Sequence, residues 1–366
     1  MQQSGLGIVG YGGFGEFTAK AYAQMPEVKI VAVTDVNAAR RNEAASIYQA
    51  TAYETYEQLL ADPAVDIVVI NTPPWLHAAQ AQQAALAGKH IFLEKPLATD
   101  LADADALMQI LQEKQVRLSI DYVLRHVPIY TILQKLTASN LLGKITYMRL
   151  ENVASNEALH ADHWFWKRQY SGGIFIEHGV HFFDLCNQLS QSEPADISGH
   201  AHTAEDGRQD RVMAAVSYNN GILANFYHAF DRPAILEQTV LRVVMERGTA
   251  IVTGWIPDRL EIEGTLSSEH YAELSELLGV ELNITTVPAP EGITGATAGE
   301  IVTAQVTRED RTADYSQAVI GGLSEFIRSI QDPAYQPQVS LQDSYASFRL
   351  AYRAQQSIDQ GHNLAY

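Results

Sequence analysis

The segment Gly-Gly-Ile-Phe-Ile-Glu-His-Gly-Val-His-Phe-Phe-Asp-Leu, residues 172–185, places Glu177, His178, His181 and Asp184 in a run that is otherwise apolar. Carboxylates and imidazoles suit general acid–base work, and histidine changes charge close to neutral pH. Residues 174–190 read as one helix, apolar on nearly every side and therefore mostly buried. On such a helix Glu177, His181 and Asp184 fall at i, i+4 and i+7 and share one stripe, while His178 points about 100° away. Buried polar groups need partners, so the stripe must face a polar cleft or another polar wall. The pairs His160-x-x-His163 and His178-x-x-His181 fit neither a standard zinc framework nor H-E-x-x-H, and no metal site is expected.

The elements that must position this chemistry begin at the N-terminus. A short apolar strand, Gly5 to Val9, runs into Gly10-Tyr11-Gly12-Gly13-Phe14-Gly15 and then into a helical pattern from Glu16 to Met25. This is G-x-G-x-x-G between a strand and a helix, the setting in which it binds a dinucleotide. Gly10 permits the tight turn, Gly12 lets the backbone approach a pyrophosphate, and Gly15 lets the helix pack closely on its strand. Gly13 and Phe14 lie inside the same turn and are grouped with them as cofactor contacts. The second strand ends at Asp35, about 20 residues on, where a carboxylate accepts hydrogen bonds from the adenosine ribose and repels a 2'-phosphate. NAD is therefore favoured over NADP, although Arg40 and Arg41 close by soften the choice.

Short apolar strands then alternate with amphipathic helices as far as Ile120, which argues a parallel sheet covered on both faces. Ligands of such sheets sit beyond the carboxyl ends of the strands. The strand ending at Ile70 leads into Asn71-Thr72-Pro73-Pro74-Trp75-Leu76-His77, and the one ending at Leu93 into Glu94-Lys95-Pro96. Asn71 and Thr72 suit either cofactor contact or helix capping, and the proline after Lys95 suits a cis bond. Past Pro128 the pattern changes to a helix and a series of strands at 145–153, 196–204, 211–218, 221–230, 236–246 and 250–253. The expected architecture is an α/β Rossmann dinucleotide-binding domain over residues 1–122, followed by an α+β domain over 123–366 with a large, mainly antiparallel, open-faced sheet. Residues 283–313, rich in Thr, Gly, Ala and Pro, read as an excursion with little core-forming character, and the C-terminal helix is free to pack back on the first domain.

Composition narrows the function classes. A chain of 366 residues with 46% hydrophobic and 19% charged residues is ordinary globular protein long enough for two domains. A net charge of −18 repels phosphate backbones and anionic lipid, so neither nucleic acid nor a membrane surface is an expected partner. No apolar run approaches the roughly 18 residues of a membrane span, and Met1 to Ser4 lead directly into a strand, so the cytoplasm is the expected location. Cys186 has no cysteine partner and reads as a small buried hydrophobe.

Taken together, Gly10-x-Gly12-x-x-Gly15, Asn71-Thr72-Pro73 with His77, Glu94-Lys95-Pro96, and Gly172-Gly173-x-x-x-Glu177-x-x-x-His181 with Asp184 resemble the glucose-fructose oxidoreductase / inositol dehydrogenase / MocA (Gfo/Idh/MocA) family, from residue 5 to about residue 350. The resemblance implies an NAD(P)-dependent oxidoreductase that moves hydride between nicotinamide and a secondary alcohol or ketone of a sugar, inositol or related polyol. It implies that Lys95 and His181 sit beside the nicotinamide as catalytic residues, and that Asn71, Thr72, Pro73, His77, Glu94 and Lys95 join the glycine turn and Asp35 in holding the cofactor. His181 is then the base for the hydroxyl proton, Lys95 the cation that stabilises alkoxide charge, and Glu177 the residue that orients them. Glu177 stands where the family usually carries aspartate, and His178 where many members carry an apolar residue. Tyr122, Arg125, His163, Trp164, Trp166, Glu177 and His181 are the substrate candidates, because aromatic faces and bidentate donors suit sugar rings. Two other readings stay open: a glycosidase that oxidises its sugar transiently with bound NAD, and a non-catalytic dinucleotide sensor, against which the retention of Lys95 and His181 counts. Relatives bury the open sheet face in subunit contacts, so a homodimer or homotetramer is expected.

Overall fold

The computed structural model describes residues 3–294 and 298–366. The expected direct passage from Met1 and Gln2 into a strand thus lies partly outside the described residues, as do positions 295–297 of the stretch 283–313; the first strand begins at Ser4. The chain forms two compact units: Met1–His126 with Ala161–Asp184 and Tyr315–Gln355, and Val127–His160 with Leu185–Asp314 and Gln356–Tyr366.

The first unit is built on six parallel strands, β1 (Ser4–Val9), β2 (Val28–Thr34), β3 (Thr51–Tyr53), β4 (Ile67–Ile70), β5 (His90–Leu93) and β6 (Leu118–Ile120), in the order β3-β2-β1-β4-β5-β6. All four residues of β4 and all three of β6 are buried, as expected for strands with helices on both faces. Between them run α1 (Gly13–Tyr22), α2 (Ala38–Tyr48), α3 (Tyr56–Ala61), α4 (Pro74–Leu86) and α5 (Leu101–Lys114). Local chemistry fixes their starts: the Asn37 side chain accepts from the backbone of Ala39 and Arg40, Thr55 and Gln58 form a capping box, and Pro74 opens α4 where no amide partner is needed. Strand order reverses between β1 and β4, which is where such sheets open a crevice at their carboxyl ends.

Residues from far along the chain complete this unit. They include a 3-10 turn Trp164–Trp166, the start of a helical run whose turn Phe175–Gly179 is π-helical and continues into Val180–Ser190, and most of the helices Arg311–Gln331 and Leu341–Gln360. Phe92 packs on Phe326 with ring centroids 5.7 Å apart, and Phe17 stacks on Tyr315 at 5.3 Å, so the helix 311–331 shares the core beneath the sheet.

The second unit carries a ten-stranded sheet: β7 (Ile145–Ser155), β8 (Pro194–Thr203), β9 (Gln209–Tyr218), β10 (Leu223–Arg232), β11 (Gln238–Met245), β12 (Gly248–Thr253), β13 (Arg259–Gly264), β14 (Asn283–Val287), β15 (Gly299–Thr307) and β16 (Leu364–Ala365), in the order β14-β15-β13-β12-β11-β7-β10-β9-β8-β16. Only the β7–β10 pair is parallel among the described strands of this sheet. Its strands bury one face, with Met148, Leu150, Phe226, Leu241 and Val243 inside. The stretch 283–313 differs from its sequence reading: β14 and β15 form the edge of the sheet, and Val302 and Val306 are buried. Their apolar positions alternate with Thr and Gln, a two-residue period masked by the Thr, Gly and Pro around it. Among the described residues no helix is long and apolar enough to cross a membrane.

Candidate active site

At the end of β1 the chain needs a turn that only glycine makes comfortably. Gly10 has φ +86°, and a Cβ on Gly15 would lie 2.2 Å from the Gly10 carbonyl oxygen, so α1 starts hard against the strand end. Gly12 precedes the first residue of α1, and the nearest atom to a Cβ placed there is Nη1 of Arg40, at 3.9 Å. Asp35, at the end of β2, is pinned toward this turn: its carboxylate accepts from Tyr11 N at 2.7 Å and Asn37 N at 2.7 Å, while Arg41 donates to its carbonyl oxygen. An open glycine turn at a helix N-terminus, beside a fixed carboxylate with free lone pairs, fits a pyrophosphate and a ribose. Gly13 faces open space and Phe14 is exposed.

The turns after β4 and β5 are tied together. His77, 1% exposed, places one ring nitrogen 2.7 Å from the carbonyl oxygen of Thr72 and the other 2.7 Å from that of Pro96. Burial pulls its pKa down, against the pull of those two carbonyls, and the ring ties the two turns together. The Thr72 hydroxyl donates to the Gln80 side chain, and the Lys95–Pro96 bond is cis.

Lys95 reaches into the helical run. Its Nζ donates to Glu177 Oε1 at 2.7 Å and to the Glu177 backbone carbonyl at 2.6 Å. Glu177 lies at the centre of the π-helical turn, whose wider winding disturbs the regular i to i+4 ladder and leaves a carbonyl for the lysine to cap. One residue thus holds the ammonium by charge and by backbone. His181 follows one turn later, 5% exposed, with the Tyr122 ring edge-on at 6.3 Å. His178 precedes His181 by three residues, a neighbouring position on a helix, and its ring lies 6.5 Å from that of His181. Burial, and then the charge of Lys95, pushes the His178 pKa down to about 3, so it is neutral at working pH.

The structure separates the remaining candidates. Arg125, 3% exposed, forks onto Asp184 with two 2.6 Å bonds and donates a third to the Gln338 carbonyl, while Ser347 also donates to Asp184. This guanidinium is committed to the fold and is not presented to a ligand, and Asp184 anchors the helix. Tyr122 is 1% exposed and backs His181. His163 caps the 3-10 turn through Phe165 N. Trp164 meets Trp75 at 5.6 Å, and Trp75 meets Tyr170 at 4.9 Å, a cluster of half-buried rings next to the turn after β4. Trp166 is half-buried with its ring edge-on to Phe165. Sequence reasoning passed over Trp75 and Tyr170, although Trp75 directly follows two prolines at a strand end. It also passed over Asp121, the residue after β6, which lies beside Glu94. Among the described residues no group of three or more His, Cys, Asp or Glu is arranged to hold a metal.

Comparison with known proteins bears on what these residues do. Residues 5–122 match the model of an oxidoreductase family with an NAD-binding Rossmann fold, and residues 130–251 match the model of the GFO/IDH/MocA C-terminal domain. The chain is 31% identical over 219 residues to UDP-N-acetylglucosamine 3-dehydrogenase of Acidithiobacillus ferrooxidans, covering 60% of this chain and 64% of that protein. It is 28% identical over 196 residues to inositol 2-dehydrogenase of Rhizobium meliloti, covering 54% and 58%. The match thus spans less than two thirds of the length of these curated relatives. Among solved structures, levoglucosan dehydrogenase in complex with NADH and L-sorbose superposes with a TM-score of 0.81 at 18% identity, covering 100% of this chain and 99% of that one. A likeness at that identity speaks for the fold.

Proposed function

The chain belongs to the Gfo/Idh/MocA oxidoreductase family, and from that premise we propose that it is an NAD-dependent dehydrogenase acting on a secondary alcohol of a sugar, inositol or related polyol. The observation that carries this reading is the grip of Glu177 on Lys95, one helical turn before His181, in the unit that also carries the glycine turn and Asp35. NAD, when bound, supplies the hydride acceptor. The chain does the rest. His181 takes the hydroxyl proton on a ring nitrogen as the alcohol is oxidised. The Lys95 ammonium, fixed by Glu177 before substrate arrives, stabilises the negative charge that grows on that oxygen. In the reverse direction the same ammonium polarises the carbonyl and His181 returns the proton. Trp75, Trp164 and Tyr170 supply flat apolar surface suited to a sugar ring.

NAD is the favoured cofactor because the Asp35 carboxylate is held in place by two backbone amides, a like charge against any 2'-phosphate. Asp35→Ser is expected to narrow the preference for NAD over NADP by roughly tenfold or more, about one charge-assisted hydrogen bond.

The test is nicotinamide absorbance of the purified protein with NAD or NADP and a panel of inositols, aldoses, sugar phosphates, nucleotide sugars and amino sugars. Turnover is expected with at least one of them, and Lys95→Ala and His181→Phe are each expected to abolish it. Hydrolysis of a nitrophenyl glycoside without net cofactor turnover would replace this reading with the transient-oxidation glycosidase. Dinucleotide binding with neither activity would leave the sensor.

A further inference from the structure

Two carboxyl groups stand side by side where β5 and β6 end. Leu93 pairs with Ile120 in the parallel ladder, and Asp121 N donates to the Leu93 carbonyl at 2.8 Å, so Glu94 and Asp121 are matching first residues beyond adjacent strands. With side chains alternating along each strand, both point to the face that carries Phe92. Asp121 is 2% exposed, and among the described residues no N–H or hydroxyl donor reaches its carboxylate oxygens, which leaves the carboxyl of Glu94 beside it. Glu94 is half-buried, directly before Lys95. The helix 311–331 passes close by means of a glycine pair: a Cβ on Gly322 would be 3.5 Å from Asp121 Oδ1 and 3.4 Å from Phe92.

Two such carboxyls cannot both ionise, and the contact between them requires a shared proton. Burial drives Asp121 up to about 7, with its bond to Glu94 pulling the other way, while burial and then the neighbouring Asp121 hold Glu94 well above the carboxylate range. The groups around the pair leave this titration to the two acids. Tyr22 from α1 and Tyr315 from the helix 311–331 are pushed up by burial and stay neutral, and His126, beside Gly322, is pulled down by burial. Lys95 is the neighbouring cation, and it is engaged by Glu177.

We propose that Glu94 and Asp121 form a one-proton carboxyl pair that selects the redox form of the cofactor, its single negative charge favouring the cationic oxidised nicotinamide over the neutral reduced one. The inference rests on the dinucleotide reading of this crevice. A pyrophosphate held at the β1–α1 turn would leave the nicotinamide end to extend toward the carboxyl ends of β4 and β5, where Glu94 begins the turn that carries Lys95. Asp121 acts as a positioning residue behind it: without a second acid, Glu94 has no reason to hold one proton between two groups.

Isothermal titration calorimetry of the full chain with NAD and with NADH, from pH 6 to 8.5, tests this. In the parent protein the ratio of the NADH to the NAD dissociation constant is expected to rise with pH by roughly 3- to 30-fold, the range for one charge acting over several ångströms at a protein-like dielectric. In Asp121→Asn that rise is expected to vanish, because burial keeps the remaining Glu94 carboxyl protonated, and in Glu94→Gln it is expected to move to higher pH, because Asp121 loses the bond that pulled its pKa down. Thermal melts establish that each variant is folded. A ratio independent of pH in the parent, a rise that persists unchanged in folded Asp121→Asn, or one that stays at the parent's pH in folded Glu94→Gln overturns the proposal while leaving cofactor binding intact. If the parent binds neither form, the cofactor reading falls and the proposal with it.

Discussion

Two ion pairs of similar length in the first unit differ in purpose, and residue surroundings tell them apart. Lys95–Glu177 keeps 16% and 14% of its side-chain surface open, whereas Arg125–Asp184 keeps 3% and 1%. Arg125→Ala is therefore expected to destabilise the protein by about 3–5 kcal/mol in urea unfolding, because it leaves a buried carboxylate with Ser347 as its one remaining side-chain donor among the described residues. A stable variant with a raised KM would instead return Arg125 to the substrate. Asp121 yields a prediction whose sign follows from linkage. Its pKa rises from the ordinary 3.8 to about 7 on folding, so the native state holds an extra proton between those values. The associated stability is fully present below the lower value and lost as pH climbs through the higher. Asp121→Asn is expected to gain in melting temperature relative to the parent between about pH 5 and 8, and a difference that does not move with pH would refute the shared proton. At this scale the sequence was informative about residue type and poor about partners. Glu177, His178, His181 and Asp184 announced themselves as charges in an apolar run, but which faced Lys95 and which faced Arg125 depends on residues 82 and 59 positions away.

Among the elements, the glycine turn is where local sequence and tertiary contact agree most closely. A methyl group on Gly15 has nowhere to go, with the Gly10 carbonyl oxygen at 2.2 Å and the Asn71 Cβ at 3.3 Å. Gly15→Ala is expected to lower stability by about 1–3 kcal/mol and to weaken NAD binding at least tenfold, as α1 is pushed off the end of β1. Gly13→Ala is the control, since a Cβ there meets nothing within 4 Å and its stability change should stay within about 0.5 kcal/mol. Equal losses from the two substitutions, read by calorimetry and melting, would show that close packing of α1 is not what Gly15 provides. The parallel sheet was legible because β1, β2, β4, β5 and β6 are short apolar runs between amphipathic helices. β3 was not, with three residues and no apolar signature of its own. The π-helical turn was invisible for a different reason: nothing in Phe-Ile-Glu-His-Gly breaks a helix, so the sequence reads as regular winding there.

For the whole molecule, the order of domains was readable, and the C-terminal helix was free to pack back on the first domain, but the return of residues 161–184 and 315–331 to the first unit was not readable, because it depends on contacts between segments far apart in the chain. The ten-stranded sheet raises the last question. Its outward side carries Tyr147, Arg149 and Glu151 on β7, Tyr227 and the exposed Leu223 on β10, Arg242 and Val244 on β11, and the exposed Met213 on β9. The register places Met213 opposite Tyr227 and Leu223 opposite Tyr147, so these side chains share one face. A face that mixes aromatic, apolar and arginine side chains has the composition of a subunit interface. We therefore expect a homodimer or homotetramer in light scattering coupled to size exclusion. The double substitution Met213→Glu and Leu223→Glu adds two charges per chain to a surface that already belongs to a molecule of net charge −18, and should shift that assembly toward monomer without lowering the melting temperature of the chain's own core. A monomer in the parent at micromolar concentration, or an assembly indifferent to both charges, would mean that this face is solvent-exposed or that subunits meet elsewhere.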